Sequence, residues 1–429
     1  MAWYDDPANM AAVNDIMKEV LHPTIIDQIN RECQIYSTLR RVTKGIKAKQ
    51  WELANEIGHN EGIGFVAEHE ELPKPYHQDF DRITLCPKAL YGRMFITGHA
   101  MEKTGSDYGS LADALMAEMK GLVRDFTYEF GRIFFGNGRG ILARCTAATN
   151  TGAAAAGVNI DIQDSWGIVS GDPRPVRLLR PHMEIASIDN AGAITGIGVV
   201  DAIVDADTIT VTTPAAIGGI GDGANPCDLV RNNDDTAAVI GNTGWGELTT
   251  DCDEQREAYG LQNVANTNAF MGVDGATNAW WATYQADMAG ATIDEEDIQE
   301  AMDEAEILSG SQPGYHITSH IIRRKIGAAL AADRRFVNKT TFQGGWDAIE
   351  VCGKYLFADR FCPVDMYFGL NLDDIATWQT RDPFWIDEDG AILHRRENYH
   401  QFQAVMAYFF NLGAYRRNPH FRLYNADCT

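Results

Sequence analysis

The clearest pattern along the chain is an apolar stripe, in steps of three and four residues, between positions 110 and 135. Its members are Leu111, Leu115, Met119, Leu122, Phe126, Phe130, Ile133 and Phe134. This spacing keeps one face of an α-helix apolar over its whole length. It predicts a helix over residues 110–135, ~39 Å long at about 1.5 Å per residue. Ser110 is the expected N-cap, and Gly136 and Gly138 are expected to end the helix.

The segment before this helix has an extended character. Residues 46–57 and 83–97 favour strands, and a tip rich in Gly, Glu and Pro separates them. We expect a β-hairpin arm that reaches ~40 Å over about 12 extended residues. A two-stranded hairpin is marginally stable alone in water, so either a neighbouring subunit or the parent domain must cover its apolar side chains. The side chains in question are Trp51, Leu53, Leu85, Tyr91 and Phe95.

The rest of the chain alternates between helical and extended patterns. Residues 24–39 have helical spacing and end in a basic run, whereas residues 144–247 turn β-rich, with strands predicted over 176–188 and 199–213. Thr292 and Glu295 form a candidate capping box before a second amphipathic helix. Its expected buried stripe is Ile298, Ala301, Met302, Ala305 and Leu308.

The C-terminal third predicts one more helix and several strands. The helix spans residues 317–331, and extended segments follow at 349–357 and 366–372. Residues 399–412 fit helical and strand spacing equally well. Together these elements predict an α+β fold with a β-rich insertion.

Length and composition limit the classes of protein to which this chain can belong. The 429 residues suit two to three compact units, and no apolar run is long enough to span a membrane. The first residues lack the pattern of a secretory signal, so we expect the protein to form in a cytosol. Eight scattered cysteines show no zinc or disulfide spacing, and we expect them to be reduced and mostly buried. The formal charge of −24 argues against a protein that reads nucleic-acid sequence.

Several segments look superficially like chemical sites. The glycine-rich segment 136–140 follows a helix, whereas a phosphate cradle needs glycines before one, and segment 218–223 lacks a strand or helix frame. Residues 387–390 lack the twelfth-position Glu of a calcium loop, where Asn398 stands. A group of His and Glu residues matches no metal-ligand spacing: His59, Glu61, Glu68, His69, Glu70 and Glu71. We therefore expect no catalytic residue, cofactor or metal site, with an unrecognised hydrolase site as the alternative from another class.

The order of elements and four short stretches resemble a known family. These stretches are Met94-Phe95-Ile96-Thr97-Gly98 running into Asp107-Tyr108-Gly109-Ser110-Leu111, Phe134-Phe135-Gly136-Asn137-Gly138, the segment from Leu356 to Pro363, and Tyr408-Phe409-Phe410-Asn411-Leu412-Gly413. In layout, residues 15–425 resemble the tailed-bacteriophage major capsid proteins of the Hong Kong 97 fold.

The resemblance implies a division of the chain into structural regions. Residues 1–45 are the expected N-terminal helical arm, 46–103 the extended loop, and 104–143 the spine helix of the peripheral domain. A β-rich insertion is expected over 144–247, the axial domain mainly over 248–390, and strands returning to the core over 391–429. Because the chain starts almost at its arm, any scaffolding segment is expected to be separate or already removed.

The resemblance also implies a function. It indicates a major capsid protein that self-assembles through pentamers and hexamers into an icosahedral shell in the bacterial host cytoplasm and ends in the virion. The shell would enclose double-stranded phage DNA without sequence specificity, and an acidic wall would not grip this cargo. Expected partners are a portal protein and separate scaffolding and decoration proteins. An encapsulin-like compartment is the alternative within the same fold.

The extended loop is the region where contacts between subunits are expected. The candidate contact residues are Trp51, Leu53, Phe65, Lys74, Tyr91 and Phe95. Lys74 is also the only candidate donor for a Lys–Asn cross-link between neighbours, and we expect no such cross-link because no partner Asn or catalytic Glu can be assigned to it.

Overall fold

The computed structural model of the chain describes residues 34–43, 46–47, 50–56, 62–66, 71–74, 77–78, 80–97, 108–145, 158–166, 169, 171–188, 194–212, 227–231, 257–332, 339–341, 347–387, 391–395 and 399–428. The described α-helices are Gln34–Thr38 (α1), Tyr108–Phe134 (α2), Leu261–Val264 (α3), Glu295–Ser309 (α4) and His320–Ala332 (α5). Short 3-10 helices lie at Pro175–Leu178 and Ala279–Trp281.

The described strands form four sheets. In chain order they are Arg40–Val42 (β1), Ile46–Lys47 (β2), Gln50–Glu56 (β3), Phe80–Leu85 (β4), Lys88–Thr97 (β5), Ile141–Cys145 (β6), Val158–Ser165 (β7), Glu184–Ile188 (β8), Ile194–Ile203 (β9), Thr208–Thr212 (β10), Cys227–Arg231 (β11), Tyr284–Asp287 (β12), Tyr315–Thr318 (β13), Lys339–Thr341 (β14), Asp347–Val351 (β15), Lys354–Ala358 (β16), Tyr367–Leu370 (β17), Ile375–Gln379 (β18), Phe384–Trp385 (β19), His394–Arg395 (β20), Gln401–Ala414 (β21) and Phe421–Tyr424 (β22).

The long helix is confirmed as α2, which spans 27 residues. It begins at Tyr108, so Ser110 lies inside the first turn and is not the cap. The stripe is buried at Met119, Phe126, Phe130, Ile133 and Phe134. Beyond the helix, Gly138 and Gly140 adopt φ values of 75° and 74°, which side chains strongly disfavour. Gly138 therefore turns the chain away from the helix, as predicted, and does so together with Gly140, whereas Gly136 has no positive φ.

The central sheet is built around the 14-residue strand β21. Its main path runs β1-β18-β21-β19, and β5 and β20 also pair with β21. The strand interpretation of residues 399–412 is therefore correct: alternate residues Ala404, Met406, Tyr408 and Phe410 are buried. Helix α2 packs on this sheet through an aromatic cluster in which Phe130 lies 5.8 Å from Tyr408 and 5.1 Å from Phe410, ring centre to ring centre.

The two extended stretches before α2 do not form one long hairpin. Strand β3 pairs with β4, from Trp51 opposite Leu85 to Glu56 opposite Phe80. Strand β5 instead pairs antiparallel with β21 over ten residues. The predicted second stretch, 83–97, is thus divided at Cys86 and Pro87 between a short arm and the central sheet.

The β-rich insertion is a closed barrel in the order β10-β7-β6-β11-β8-β9. Its described strands span 141–231, so the barrel begins inside the region predicted to be the spine. Two predicted strands are wrong in part. Residues 175–178 form a 3-10 helix, so only 184–188 of the first stretch is a strand. The second stretch contains an exposed turn at 204–207, between β9 and β10.

The C-terminal half holds a seven-stranded sheet in the order β12-β22-β17-β13-β16-β15-β14. Helices α4 and α5 cover one face, where Ile298, Met302, Ile322, Ile326 and Leu356 share a hydrophobic core. Adjacent strand residues such as Phe357 and Phe368 belong to the main core instead. Successive strand residues point to opposite faces, so the side chains of this sheet contribute to two different cores.

Four expectations for this half need correction. The N-cap of α4 is Asp294, and its capping box partner is Asp297, not Thr292 and Glu295. Leu308 is 49% exposed, although the other four stripe residues are buried. Residues 317–318 belong to β13, ahead of α5. The stretch 349–357 is a hairpin, because Cys352 and Gly353 turn it with φ values of 50° and 74°.

Several predictions lie partly or wholly outside the described residues. Only residues 34–39 of the predicted first helix are described, and 34–38 are helical. Segment 218–223 is not described, nor are His59, Glu61, Glu68, His69 and Glu70. None of the described helices is both long and apolar enough to cross a lipid bilayer.

Candidate interaction surface

The base of the arm is covered by the chain itself. Trp51 is 1% exposed and Leu85 is fully buried, and Leu53 packs partly buried against the same core. The Thr84 amide donates to the Met271 carbonyl at 3.0 Å, which joins β4 to the segment before the 3-10 helix at 279–281. The chain itself therefore covers Trp51 and Leu85 and part of Leu53. Trp51 offers almost no surface to a neighbour.

The segments beyond β3 and before β4 expose their apolar side chains. We call residues 62–66 and 71–74 the tip segments. Phe65 is fully exposed, Ile63 is 89% exposed and Leu72 is 80% exposed. Lys74 is exposed in the second tip segment. An aromatic and two aliphatic side chains in water carry a cost that burial against another surface would remove.

Tyr91 and Phe95 lie on the outward face of β5. They are 56% and 47% exposed, because successive strand residues point to opposite sides and Gly92 and Met94 face α2 and the core. Tyr91 contacts Phe409 edge to face at 5.9 Å, and the Arg93 guanidinium lies 4.4 Å above the Phe95 ring. These contacts hold both rings in place and leave an outer surface open.

Two adjoining depressions of about 570 and 560 Å³ follow the line between β5 and α2. We call them the α2–β5 groove. Both share Arg93, Leu122 and Asp125, and the barrel supplies a further wall at residues 180–184. The groove is open along its length, so it suits an extended peptide segment better than a small molecule.

A charged clamp fixes the barrel wall of this groove to α2. Arg180 stacks on Tyr128 at 3.9 Å and pairs with Asp125 at 3.3 Å, and Arg231 of β11 pairs with Glu129 at 3.5 Å. The sequence analysis missed this clamp. Because its partners lie 52 to 102 residues apart, no local pattern marks it.

Below the clamp, Glu129 and Arg132 of α2 form a largely buried triad with Glu257. The Arg132 guanidinium donates to Glu129 at 2.9 Å and to both carboxylate oxygens of Glu257. Burial raises the pKa of Glu129, but the charges of Arg132 and Arg231 outweigh it and hold that pKa below its ordinary value. Removing one partner of such a buried pair would cost several kcal/mol, about 3–5. The triad therefore locks residue 257 to the helix.

Two buried cysteines, Cys362 and Cys428, are poor nucleophiles. Cys362 is fully buried, and burial raises its thiol pKa well above the ordinary value. Burial, followed by the charge of Asp365, raises the pKa of Cys428 to about 11. Both are therefore thiols at neutral pH, whereas nucleophilic chemistry needs the thiolate. Among the described residues, no cluster of three His, Cys, Asp or Glu side chains could hold a metal ion.

The expectation of reduced thiols is wrong at two positions. Cys86 and Cys145 each take part in a disulfide bond. Cys352, Cys362 and Cys428 are thiols that form no disulfide bond.

No family model and no curated protein matches this sequence. Solved structures do: a chain of the cyanophage A-1(L) capsid asymmetric unit matches at a TM-score of 0.53 and 9% identity, covering 92% of this chain and 93% of that one. Mycobacterium phage Patience matches at 0.41 and 9%, covering 98% and 88%. The SrpI encapsulin complex from Synechococcus elongatus PCC 7942 matches at 0.30 and 11%, covering 40% and 57%.

Only the first of these scores is high enough to bear on the fold. It covers nearly the whole of both chains, so this mixed α/β chain has the fold of a phage capsid chain. An identity of 9% shows the fold alone. What the protein does must therefore be argued from its own surfaces.

Proposed function

We propose that this protein is the major capsid protein of a tailed bacteriophage, with the Hong Kong 97 fold, and that it self-assembles into an icosahedral shell. The observation that carries the proposal is the fold of a capsid chain combined with exposed apolar tip segments. A monomer gains nothing from exposing Phe65 and Ile63, whereas a shell subunit buries them on each copy.

The proposed division of labour follows the chain. Residues 1–45 form the N-terminal arm, 46–103 the extended loop, 104–143 the spine and 144–247 the insertion. Residues 248–390 form mainly the axial domain, and 391–429 return to the core. The 27-residue helix α2 supports the spine assignment, and the closed barrel between α2 and residue 257 supports an insertion.

The proposed contact places the tip segments of one copy in the α2–β5 groove of a neighbour. Phe65 is the main apolar anchor, and Tyr91 and Phe95 border the groove that receives it. Burying one such side chain is worth roughly 1.5–3 kcal/mol. Lys74 contributes a cation at the rim, while Trp51 and Leu53 act inside their own subunit by anchoring the arm. Such a contact is heterologous, and heterologous contacts form rings, here the proposed pentamers and hexamers, when the rotation between copies closes.

The cargo and the partners follow from the same proposal. The shell encloses double-stranded DNA without reading its sequence, and a formal charge of −24 per copy limits adhesion to the packaged phosphates. A portal protein, and separate scaffolding and decoration proteins, are the further partners of a shell that assembles in the host cytoplasm and becomes part of the virion.

The test is expression of the full chain, followed by negative-stain electron microscopy and native mass spectrometry. Phe65→Ser should lower the particle yield at least tenfold, because each contact loses its apolar anchor. The unassembled variant should keep the wild-type Tm, since Phe65 contacts nothing that holds the subunit together. Val204→Ser is the matched control, because Val204 is 50% exposed at the barrel turn and lies outside the groove.

Normal particles from Phe65→Ser would contradict the proposed contact. A wild-type protein that stays monomeric or dimeric would contradict the proposed shell and favour the hydrolase alternative. Particles that hold an enzyme instead of DNA would favour the encapsulin-like alternative.

A further inference from the structure

Helices α4 and α5 lie on the same face of the seven-stranded sheet and carry opposite charges. Helix α4 contacts β12 and β22, whereas α5 contacts β16, three strands further along the sheet. The sequence of α4 holds seven carboxylates and no cation. That of α5 holds His320, Arg323, Arg324 and Lys325 and no acid. This layer of the molecule is therefore acidic on one side and basic on the other.

One charge on each helix lies where it weakens that helix, although Glu295, Glu296 and Asp297 suit the N-terminus of α4. A helix C-terminus favours cations, yet the last turn of α4 carries Glu306 and no basic residue. A helix N-terminus favours anions, yet the first turn of α5 carries Arg323 and no acidic residue. Each misplaced charge costs roughly 0.3–1 kcal/mol. Because this unfavourable energy occurs in both helices, we expect the charges to stabilise a contact outside the isolated subunit.

The exposed end of α4 combines an apolar residue with carboxylates. Ile307 is 76% exposed and stands beside Glu306, while Asp303 lies exposed one turn earlier. Glu306 accepts a hydrogen bond from Gln312 at 2.6 Å, and Asp303 accepts one from Gln299 at 2.8 Å. Among the described residues, no cation forms an ion pair with either carboxylate.

The exposed side of α5 offers the complementary features. A depression of about 370 Å³ is lined by Ile321, Ala328 and Pro173, with Arg324 and Lys325 among its walls. Lys325 pairs with Asp427 at 2.5 Å, whereas the Arg324 side chain is exposed. Burial, and then the charges of Arg323 and Arg324, lower the pKa of His320. This side of α5 therefore has an excess of positive charge around an apolar hollow.

We infer that the C-terminal end of α4 of one copy docks in the α5 hollow of the next copy, with Ile307 in the hollow and Asp303 and Glu306 facing Arg324. The inference rests on the proposed function, because it specifies a second contact of the same shell. Each helix is held on the sheet by its own buried stripe, Ile298 and Met302 for α4 and Ile322 and Ile326 for α5. The docking therefore joins two copies, and such a heterologous contact forms a ring when the rotation between copies closes.

The test uses charge reversals in the full chain. Glu306→Lys and Arg324→Glu each place two like charges across the contact, and each should lower the particle yield at least tenfold. The double variant restores opposite charges with the polarity inverted and should recover assembly to within about threefold of wild type. Its net charge equals that of the wild type, because the two changes cancel.

Folding can be separated from docking in this design. Glu306→Lys suits the dipole at the C-terminus of α4, and Arg324 is exposed on the second turn of α5, so circular dichroism and the Tm of unassembled subunits should show no loss. Asp205→Lys is the matched control, because it makes the same charge change at the exposed barrel turn and should assemble normally.

The outcomes distinguish the inference from the function on which it rests. If single reversals form particles as the wild type does, or if the folded double variant does not recover, the α4–α5 contact is wrong and the proposed shell still stands. If the wild type forms no particles, the proposed function fails, and the inference fails with it.

Discussion

The buried carboxyl group of Asp365 links stability to pH at the scale of a single residue. Asp365 is 1% exposed, and one of its carboxyl oxygens has no hydrogen-bond partner among the described residues. Burial raises its pKa from the ordinary 3.8 to about 7, although backbone hydrogen bonds and the charge of Arg422 oppose the rise and only Asp172 adds to it. The folded protein therefore holds a proton that the unfolded chain releases above about pH 4.

The sign of the effect follows from this proton. Between about pH 4 and 7 the folded state binds more protons, so the contribution of Asp365 to the free energy of unfolding falls as pH rises and is fully lost above 7. Asp365→Asn removes the titration. We expect this variant to match the wild type near pH 4 and to exceed it at pH 8 by a few kcal/mol, at roughly 1.4 kcal/mol per pKa unit.

Urea unfolding of unassembled subunits at pH 4.5, 6 and 8 measures this difference. The exposed Asp205→Asn is the control and should stay within ~0.5 kcal/mol of wild type at each pH. A difference between Asp365→Asn and wild type that does not grow with pH would show that Asp365 is not protonated in the folded protein.

At the scale of elements, two glycines of α2 make opposite predictions. A helix interior favours Ala over Gly by about 1 kcal/mol. A Cβ at Gly121 would meet nothing within 4 Å, so Gly121→Ala should stabilise the subunit by roughly that amount. A Cβ at Gly131 would lie 2.6 Å or less from ring atoms of Phe361. Gly131→Ala should therefore destabilise it by about 1–3 kcal/mol, the usual cost of overpacking.

The pair serves as its own control, because both changes add one methyl group to the same helix. Urea midpoints of the two variants should move in opposite directions. If Gly131→Ala also stabilises, the loop around Phe361 does not pack against α2 as described.

Elements could be predicted from the sequence where the spacing of apolar residues stayed regular along the whole element. The stripes of α2 and α4 are local patterns: the predicted ends of α2 lie within two residues of the observed ones, and the predicted stripe of α4 lies inside the observed helix. Turns inside apolar stretches were missed, at 204–207 and at Cys352-Gly353, because their flanking residues keep the same alternation. The pairing of β5 with β21 was also missed. Its partners lie about 300 residues apart, so no local signal marks it.

The candidate surface was predictable in part for the same reason. The exposed tip segments follow from a Gly-, Glu- and Pro-rich composition, which cannot bury its few apolar residues. The burial of Trp51 does not follow from sequence, because its cover comes from distant segments of the chain. The clamp of Glu129, Asp125, Arg180 and Arg231 likewise exists only once the barrel is closed on α2.

At the scale of the whole molecule, assembly brings strongly like-charged copies together. Each copy carries a formal charge of −24, so copies repel at long range. The proposed contact between α4 and α5 attracts at short range. Salt weakens both interactions over different distances, because the Debye length falls from ~30 Å at 0.01 M to ~10 Å at 0.1 M and ~3 Å at 1 M.

Because the repulsion is long-ranged and the attraction is short-ranged, we expect the particle yield to pass through a maximum as the salt concentration rises. From about 0.01 to 0.1 M, screening removes repulsion between whole subunits while contacts of ~4 Å stay effective, so light scattering should show faster assembly and more particles. Towards 1 M the charge pairs weaken as well, and the yield should fall. The double variant Glu306→Lys with Arg324→Glu keeps the net charge and should show the same maximum. Yield that rises steadily to 1 M would mean that apolar contacts alone hold the shell, because burial of the tip segments does not weaken with ionic strength.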